Sequence, residues 1–86
     1  MTGAMPVRVM VEDVWDEVFL ELPGQTPLSE LKRQALELTH VVRPASDYMI
    51  KFRGAAVSDE TQTLADAGLV PNAALIVLAK RRRPVR

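Results

Sequence analysis

The stretch from Thr26 to Thr39 carries the strongest helical period in the chain, and a helix of that length needs a cover. Thr26 reads as the N-cap, its hydroxyl placed to accept an orphan backbone N–H of the first turn. Pro27 reads as the first helical residue, where a missing N–H costs nothing. Leu28, Leu31, Ala35 and Leu38 follow at steps of three, four and three, which makes one apolar stripe. Glu30, Lys32, Arg33, Gln34 and Glu37 are assigned to water, and Leu36 to the edge of the stripe. An isolated helix this short is marginal in water. Its stripe must lie against something, and strand patterns on both sides make a sheet the expected cover.

Val7, Val9 and Val11 alternate with Arg8, Met10 and Glu12, the pattern of a half-buried strand. Val18, Leu20 and Leu22 alternate with Glu17, Phe19 and Glu21 and give a second. The connection from Glu12 to Glu17 has no glycine, which favours a longer loop over a tight primed turn. Pro23-Gly24 ends the hairpin and leads into the helix. After the helix, Pro44 marks a connector. Tyr48, Ile50 and Phe52 then alternate with Met49, Lys51 and Arg53 in a third strand. Gly54 suits a turn, and Val57 a short fourth strand. Thr63-Leu64-Ala65-Asp66 has the form of a small capping box, with one helical turn ending at Gly68. Leu75 to Ala79 is apolar on both faces, which predicts a central strand. The order β-β-α-β-(β)-turn-β describes one α+β domain of two layers. The expected boundaries are a flexible N-terminus over 1–6, a folded domain over 7–80 and a basic tail over 81–86.

Composition narrows the function. Hydrophobic residues at 48% and charged residues at 26% fit a globular domain and not a disordered chain. Without cysteine there is no disulfide, thiol nucleophile or thiolate metal site, which fits a reducing, cytoplasmic location. No apolar run has the length of a membrane span, and Met1 to Pro6 lacks the basic start and apolar core of a signal peptide. The formal net charge is zero, yet the charge is unevenly placed. Glu12 to Glu30 holds six acids and no base, and Lys80 to Arg86 five bases and no acid.

From Val7 to Arg82 the chain resembles the ubiquitin-like β-grasp family. The segment "MIKFRGAAVSDETQTLADAGLVPNAALIVL" carries most of the likeness: a strand ending at Gly54, an apolar residue at Val57, then Thr63-Leu64-x-Asp66, Gly68-Leu69 and a final apolar strand. The "VRVMV", "VFLELP" and "TPLSELK" segments match the family's hairpin and helix start. The resemblance implies a mixed sheet of four or five strands packed on one central helix, with the first and last strands adjacent. Small bacterial YukD-like members are similar in size, which implies an accessory role in a bacterial assembly such as a type VII-like secretion system. Modifiers and sulfur carriers of the family end in Gly-Gly, whose carboxylate is adenylated. Here the matching region reads Arg81-Arg82-Arg83-Pro84-Val85-Arg86, and no two glycines are adjacent anywhere in the chain. Conjugation and sulfur transfer are therefore disfavoured. On the third strand, the apolar centre of the family's partner-binding patch falls at Lys51.

Strand alternation gives the candidate site. If Ile50, Phe52, Leu75 and Val77 face the helix, then Met49, Lys51, Arg53, Ile76 and Leu78 face away. With the first strand adjacent, Arg8 and Met10 join them. An exposed group of Met, Ile and Leu rimmed by Lys and Arg suits a protein-binding face, and Arg8, Met10, Met49, Lys51, Ile76 and Leu78 are the residues assigned to it. The competing readings are weak self-association through the same face and no role at all. Val14 and Trp15 in the hairpin loop, and Lys80, Arg81, Arg82 and Arg83 in the tail, are assigned as secondary contacts. The tail lacks aromatic interleaving and the chain is not basic overall, which argues against nucleic acid, while an anionic membrane surface remains only an alternative for the tail. His40, the only histidine, is assigned to the helix C-terminus and not to a metal. Asp59 and Glu60 are adjacent loop acids and make no acid–base pair. No P-loop, dinucleotide fingerprint or nucleophile elbow is present, so the expected role is non-catalytic, with no cofactor and no metal.

Overall fold

Val7, Val9 and Val11 all point inward and are at most 1% exposed, as their alternation predicts. They lie on β1 (Ala4–Val11) in a computed structural model that describes residues 4–80. A 3-10 turn, Glu12–Val14, leads to β2 (Asp16–Pro23), then α1 (Leu28–Leu38) and a second 3-10 turn, Ala45–Asp47. The chain closes with β3 (Tyr48–Phe52), β4 (Ala55–Ala56) and β5 (Ala73–Ala79). The strand order is β2-β1-β5-β3-β4. β1 and β5 run parallel, and the other neighbours antiparallel. The apolar last strand is therefore central, as its two-sided hydrophobicity requires.

The helix lies on one face of this sheet. Leu28, Leu31 and Ala35 are fully buried beside Leu20, Leu22, Ile50, Leu64, Leu75 and Val77. Each fully buried leucine or isoleucine removes enough apolar surface to contribute about 1.5–3 kcal/mol.

Five expectations need correction. Residues 4–6, expected to belong to a flexible N-terminus, are part of β1, where Ala4 pairs with Pro23 and Met5 with Leu22. Pro6 is accommodated because its carbonyl faces Asn72, whose N–H it accepts, and its own nitrogen faces that same edge before β5 has begun. At the helix, Pro27 and not Thr26 is the N-cap residue, and no side-chain hydrogen bond caps it. The loop from Glu60 to Leu64 does so instead. Leu28 N–H donates to the Gln62 carbonyl at 3.0 Å and Ser29 N–H to the Glu60 carbonyl at 2.9 Å. The Thr26 carbonyl accepts from Leu64 N–H. Orphan amides of the first turn thus find remote backbone acceptors.

The apolar stripe also shifts. Leu36 is 3% exposed and Leu38 53%, the reverse of the expected assignment. The two leucines lie on opposite flanks of the stripe, and the return segment covers only one flank. Val41 N–H donates to the Leu36 carbonyl, and Val41 and Ala45 pack on the core from that side. Lys32, assigned to water, is 5% exposed. Its ammonium donates to the Tyr48 carbonyl at 2.9 Å and lies 2.7 Å from Glu60 Oε1. A lysine stem can be buried when its head finds such partners.

The expected helical turn at Thr63 is a looser turn. Asp66 N–H donates to Thr63 Oγ1, which is half of a capping box. Gly68 N–H reaches the Ala65 carbonyl and Leu69 N–H the Leu64 carbonyl, with Gly68 at φ +89°, the bonding of a Schellman end. Val57 falls just past β4 but donates to the Ile50 carbonyl at 2.8 Å. No helix among the described residues is long and apolar enough to cross a membrane.

Candidate functional site

The face of the sheet turned away from α1 is built from the odd members of each alternation. Register makes one row of it continuous: Glu17 on β2, Met10 on β1, Ile76 on β5, Lys51 on β3 and Ala56 on β4. A second row sets Phe19 beside Arg8 and Arg8 beside Ala74. Met49 pairs with Leu78 on the other side. The six residues expected on this face are thus gathered on it. Ile76 is 42% exposed, Arg8 is exposed, and Met10, Met49, Lys51 and Leu78 are half-buried among one another.

Phe19 adds to the face and was not among the residues assigned to it. It is 71% exposed next to Arg8. The alternation of Val18, Leu20 and Leu22 already turns Phe19 outward, but its neighbour follows only from the β1–β2 register. Arg53 moves the other way. It stands in the two-residue turn with Gly54, both at positive φ as a type I′ hairpin requires. Its guanidinium lies 5.2 Å from the centroid of the Phe52 ring.

The hairpin loop carries the proposed secondary contacts. Trp15 is 77% exposed and Val14 45%. Trp15 sits at φ 51°, in the left-handed region, closing the 3-10 turn by donating its N–H to the Glu12 carbonyl. Asp13 of the same turn accepts the Tyr48 hydroxyl at 2.6 Å. That ties the loop to β3, and burial first, then Asp13, raises the Tyr48 phenol above its usual value. Lys80 is exposed, and its backbone N–H donates to the Asp47 carbonyl. Arg81, Arg82 and Arg83 lie outside the described residues.

The remaining polar groups have structural work. His40 holds the position after the helix end at φ 62°, and its N–H donates to the Glu37 carbonyl. Hydrogen bonds from Arg33 and Gln34 draw exposed Glu30 down to about 2. Asp59 is lowered by the hydroxyl and backbone N–H of Thr61. Among the described residues no three His, Cys, Asp or Glu side chains are grouped to hold a metal ion. A shallow cavity of about 470 Å³ lies between Lys32, Met49, Val57, Glu60 and Lys80, open at the rim of the outer face.

Solved structures decide what this arrangement is. Ubiquitin from Caldiarchaeum subterraneum superposes with a TM-score of 0.78, covering 93% of this chain and 98% of that one at 14% identity. The fold is the ubiquitin-like β-grasp. A ubiquitin-like domain of an Arabidopsis thaliana protein matches with a TM-score of 0.76 at 15% identity, over 100% of this chain and 86% of its own. A designed protein based on ubiquitin matches with a TM-score of 0.78 at 13% identity, over 98% of each chain. No protein-family model matches the sequence, and no curated protein does. At these identities the ubiquitin-like likeness is one of fold, and function has to be argued from the face itself.

Proposed function

We propose that this ubiquitin-like domain is a non-catalytic protein-interaction module whose contact surface is the outer face of the sheet. The observation that carries the reading is the row from Met10 through Ile76 to Lys51, continuous across three strands, with Leu78 and Met49 beside it and Arg8 and Phe19 on the next row. An apolar centre with a polar rim is the anatomy of a protein contact. Trp15 and Val14 extend it at one end as a secondary contact; the basic residues from Lys80 to Arg83 are the other secondary contact assigned from the sequence. An accessory subunit of a bacterial assembly, such as a type VII-like secretion system, is one concrete form of such a module and rests on the resemblance alone. The test is affinity capture from native cell extract with intact protein, Ile76→Asp, Leu78→Asp and a chain stopped after Lys80. The partner is expected to be lost with both aspartates while circular dichroism and melting stay as in the parent. Capture that survives both aspartates rules out this face. Capture lost only with the shortened chain moves the function to the basic segment.

A further inference from the structure

The outer face carries an order of charges that its own copy complements. Along the row Glu17, Met10, Ile76, Lys51 an acid stands on β2, two apolar side chains follow on β1 and β5, and a base stands on β3. Read from the far end, the order becomes base, apolar, apolar, acid. Two such faces related by a two-fold axis that runs between β1 and β5, parallel to the strands, lay one row over the other in reverse. Met10 of each copy then meets Ile76 of the other, and Glu17 of each copy comes over Lys51 of the other. Among the described residues neither Glu17 nor Lys51 has an ion-pair partner within the chain, as is also true of Arg8, Arg53 and Lys80, so both charges are available to another copy. The formal net charge of zero also removes long-range repulsion between copies. Resting on the reading of this face as a protein contact, we propose that its partner is a second copy of the chain, packed sheet to sheet about a two-fold axis between Met10 and Ile76, with Glu17 of one copy set against Lys51 of the other. Such an isologous arrangement uses the same patch twice, as most homodimers do.

The size of the face sets the strength. Five strands at about 4.8 Å spacing span about 19 Å and run about 20 Å on average, so the face offers on the order of 400 Å², about half of the roughly 800 Å² per partner of a standard interface. The dimer is therefore weak, with monomer dominant near ~10 μM and dimer substantial near ~1 mM.

Sedimentation equilibrium of the full chain across that concentration range reads the mass directly. The weight-average mass is expected to rise from 9.5 kDa toward twice that value. Ile76→Asp, which buries a carboxylate against Met10 of the other copy on each side of the axis, is expected to hold the chain monomeric throughout. Glu17→Lys and Lys51→Glu, each at a residue outside the buried core, are each expected to weaken association about 10-fold or more. The two reversals together restore the opposite pairing and are expected to bring association back toward the parent. A heterologous partner could not produce that rescue. Monomer at every concentration, or a double reversal no better than the singles, overturns the self-pairing. Monomer at every concentration with partner capture still lost in Ile76→Asp leaves the interaction face standing with a different occupant.

Discussion

Lys32 Nζ lies 2.7 Å from Glu60 Oε1, with the lysine side chain 6% exposed and the glutamate 22%. The same glutamate's backbone carbonyl accepts the Ser29 N–H at 2.9 Å. One residue of a distant loop therefore holds both the N-terminus of α1 and a charge on its flank. The contact fixes the helix against the loop between β4 and β5, and the Tyr48 carbonyl completes the site at 2.9 Å.

The two partners are not equivalent on removal. Glu60→Gln leaves the buried ammonium with neutral acceptors only, the Tyr48 carbonyl and the new amide oxygen, and is expected to cost about 2–3 kcal/mol. Lys32→Met leaves a carboxylate that can turn to water and fills the stem's space, so a smaller loss of about 1 kcal/mol or less is expected. Urea unfolding of the two variants checks the order. Equal losses would mean that the pair acts as an ordinary surface bridge.

Leu36 and Leu38 differ by one covering segment. Leu36→Ala is expected to lower stability by about 2–4 kcal/mol, because it empties a site closed by Val41 and Ala45. Leu38→Ala is expected to stay within about 0.5 kcal/mol. Chemical denaturation of both alanine variants distinguishes this stripe from the one read from spacing alone.

His40 occupies a glycine's conformation. At φ 62° a Cβ crowds the backbone, and the Val41 N–H to Leu36 carbonyl bond is that of a Schellman end. His40→Gly is expected to stabilise the fold by about 0.5–1 kcal/mol, whereas His40→Ala, which keeps the Cβ, is expected to give no gain. A rise in melting temperature with glycine only is the signature.

Tyr48 gives the fold an alkaline limit. Its folded phenol titrates above the ordinary value near 10 because of burial and then Asp13. The neutral phenol is the favoured folded form, so its stabilising contribution is complete below pH ~10 and is lost as pH rises through the folded value. Stability of the parent is expected to fall more steeply above pH ~10 than that of Tyr48→Phe. At neutral pH the Phe variant should be about 1–2 kcal/mol weaker for want of the bond to Asp13. Tyr48 is the only tyrosine, so phenolate absorbance reports on it alone.

The strand alternations at Val7, Val18, Tyr48 and Leu75 were legible because a period of two needs only local residue order. They were enough to gather Arg8, Met10, Met49, Lys51, Ile76 and Leu78 once β1 and β5 were taken as neighbours. What escaped depends on segments far apart in the chain. Thr26 has the right chemistry for a cap, but the backbone carbonyls of Glu60 and Gln62 take the amides of the first turn. Lys32 reads as a solvent residue until Glu60 and Tyr48 are placed beside it. Phe19 was turned outward by its pattern, and only the pairing with Arg8 placed it beside the residues gathered on the outer face.

β5 lies between β1 and β3, so the last described strand is hydrogen-bonded to the first. During synthesis the β1–β2 hairpin and α1 leave the ribosome without the strand that joins them to β3. A nascent chain lacking Ala73–Ala79 therefore exposes the inner edges of both halves of its sheet. Folding must wait until that strand has emerged, and any early stop before it yields a sticky fragment and not a smaller domain.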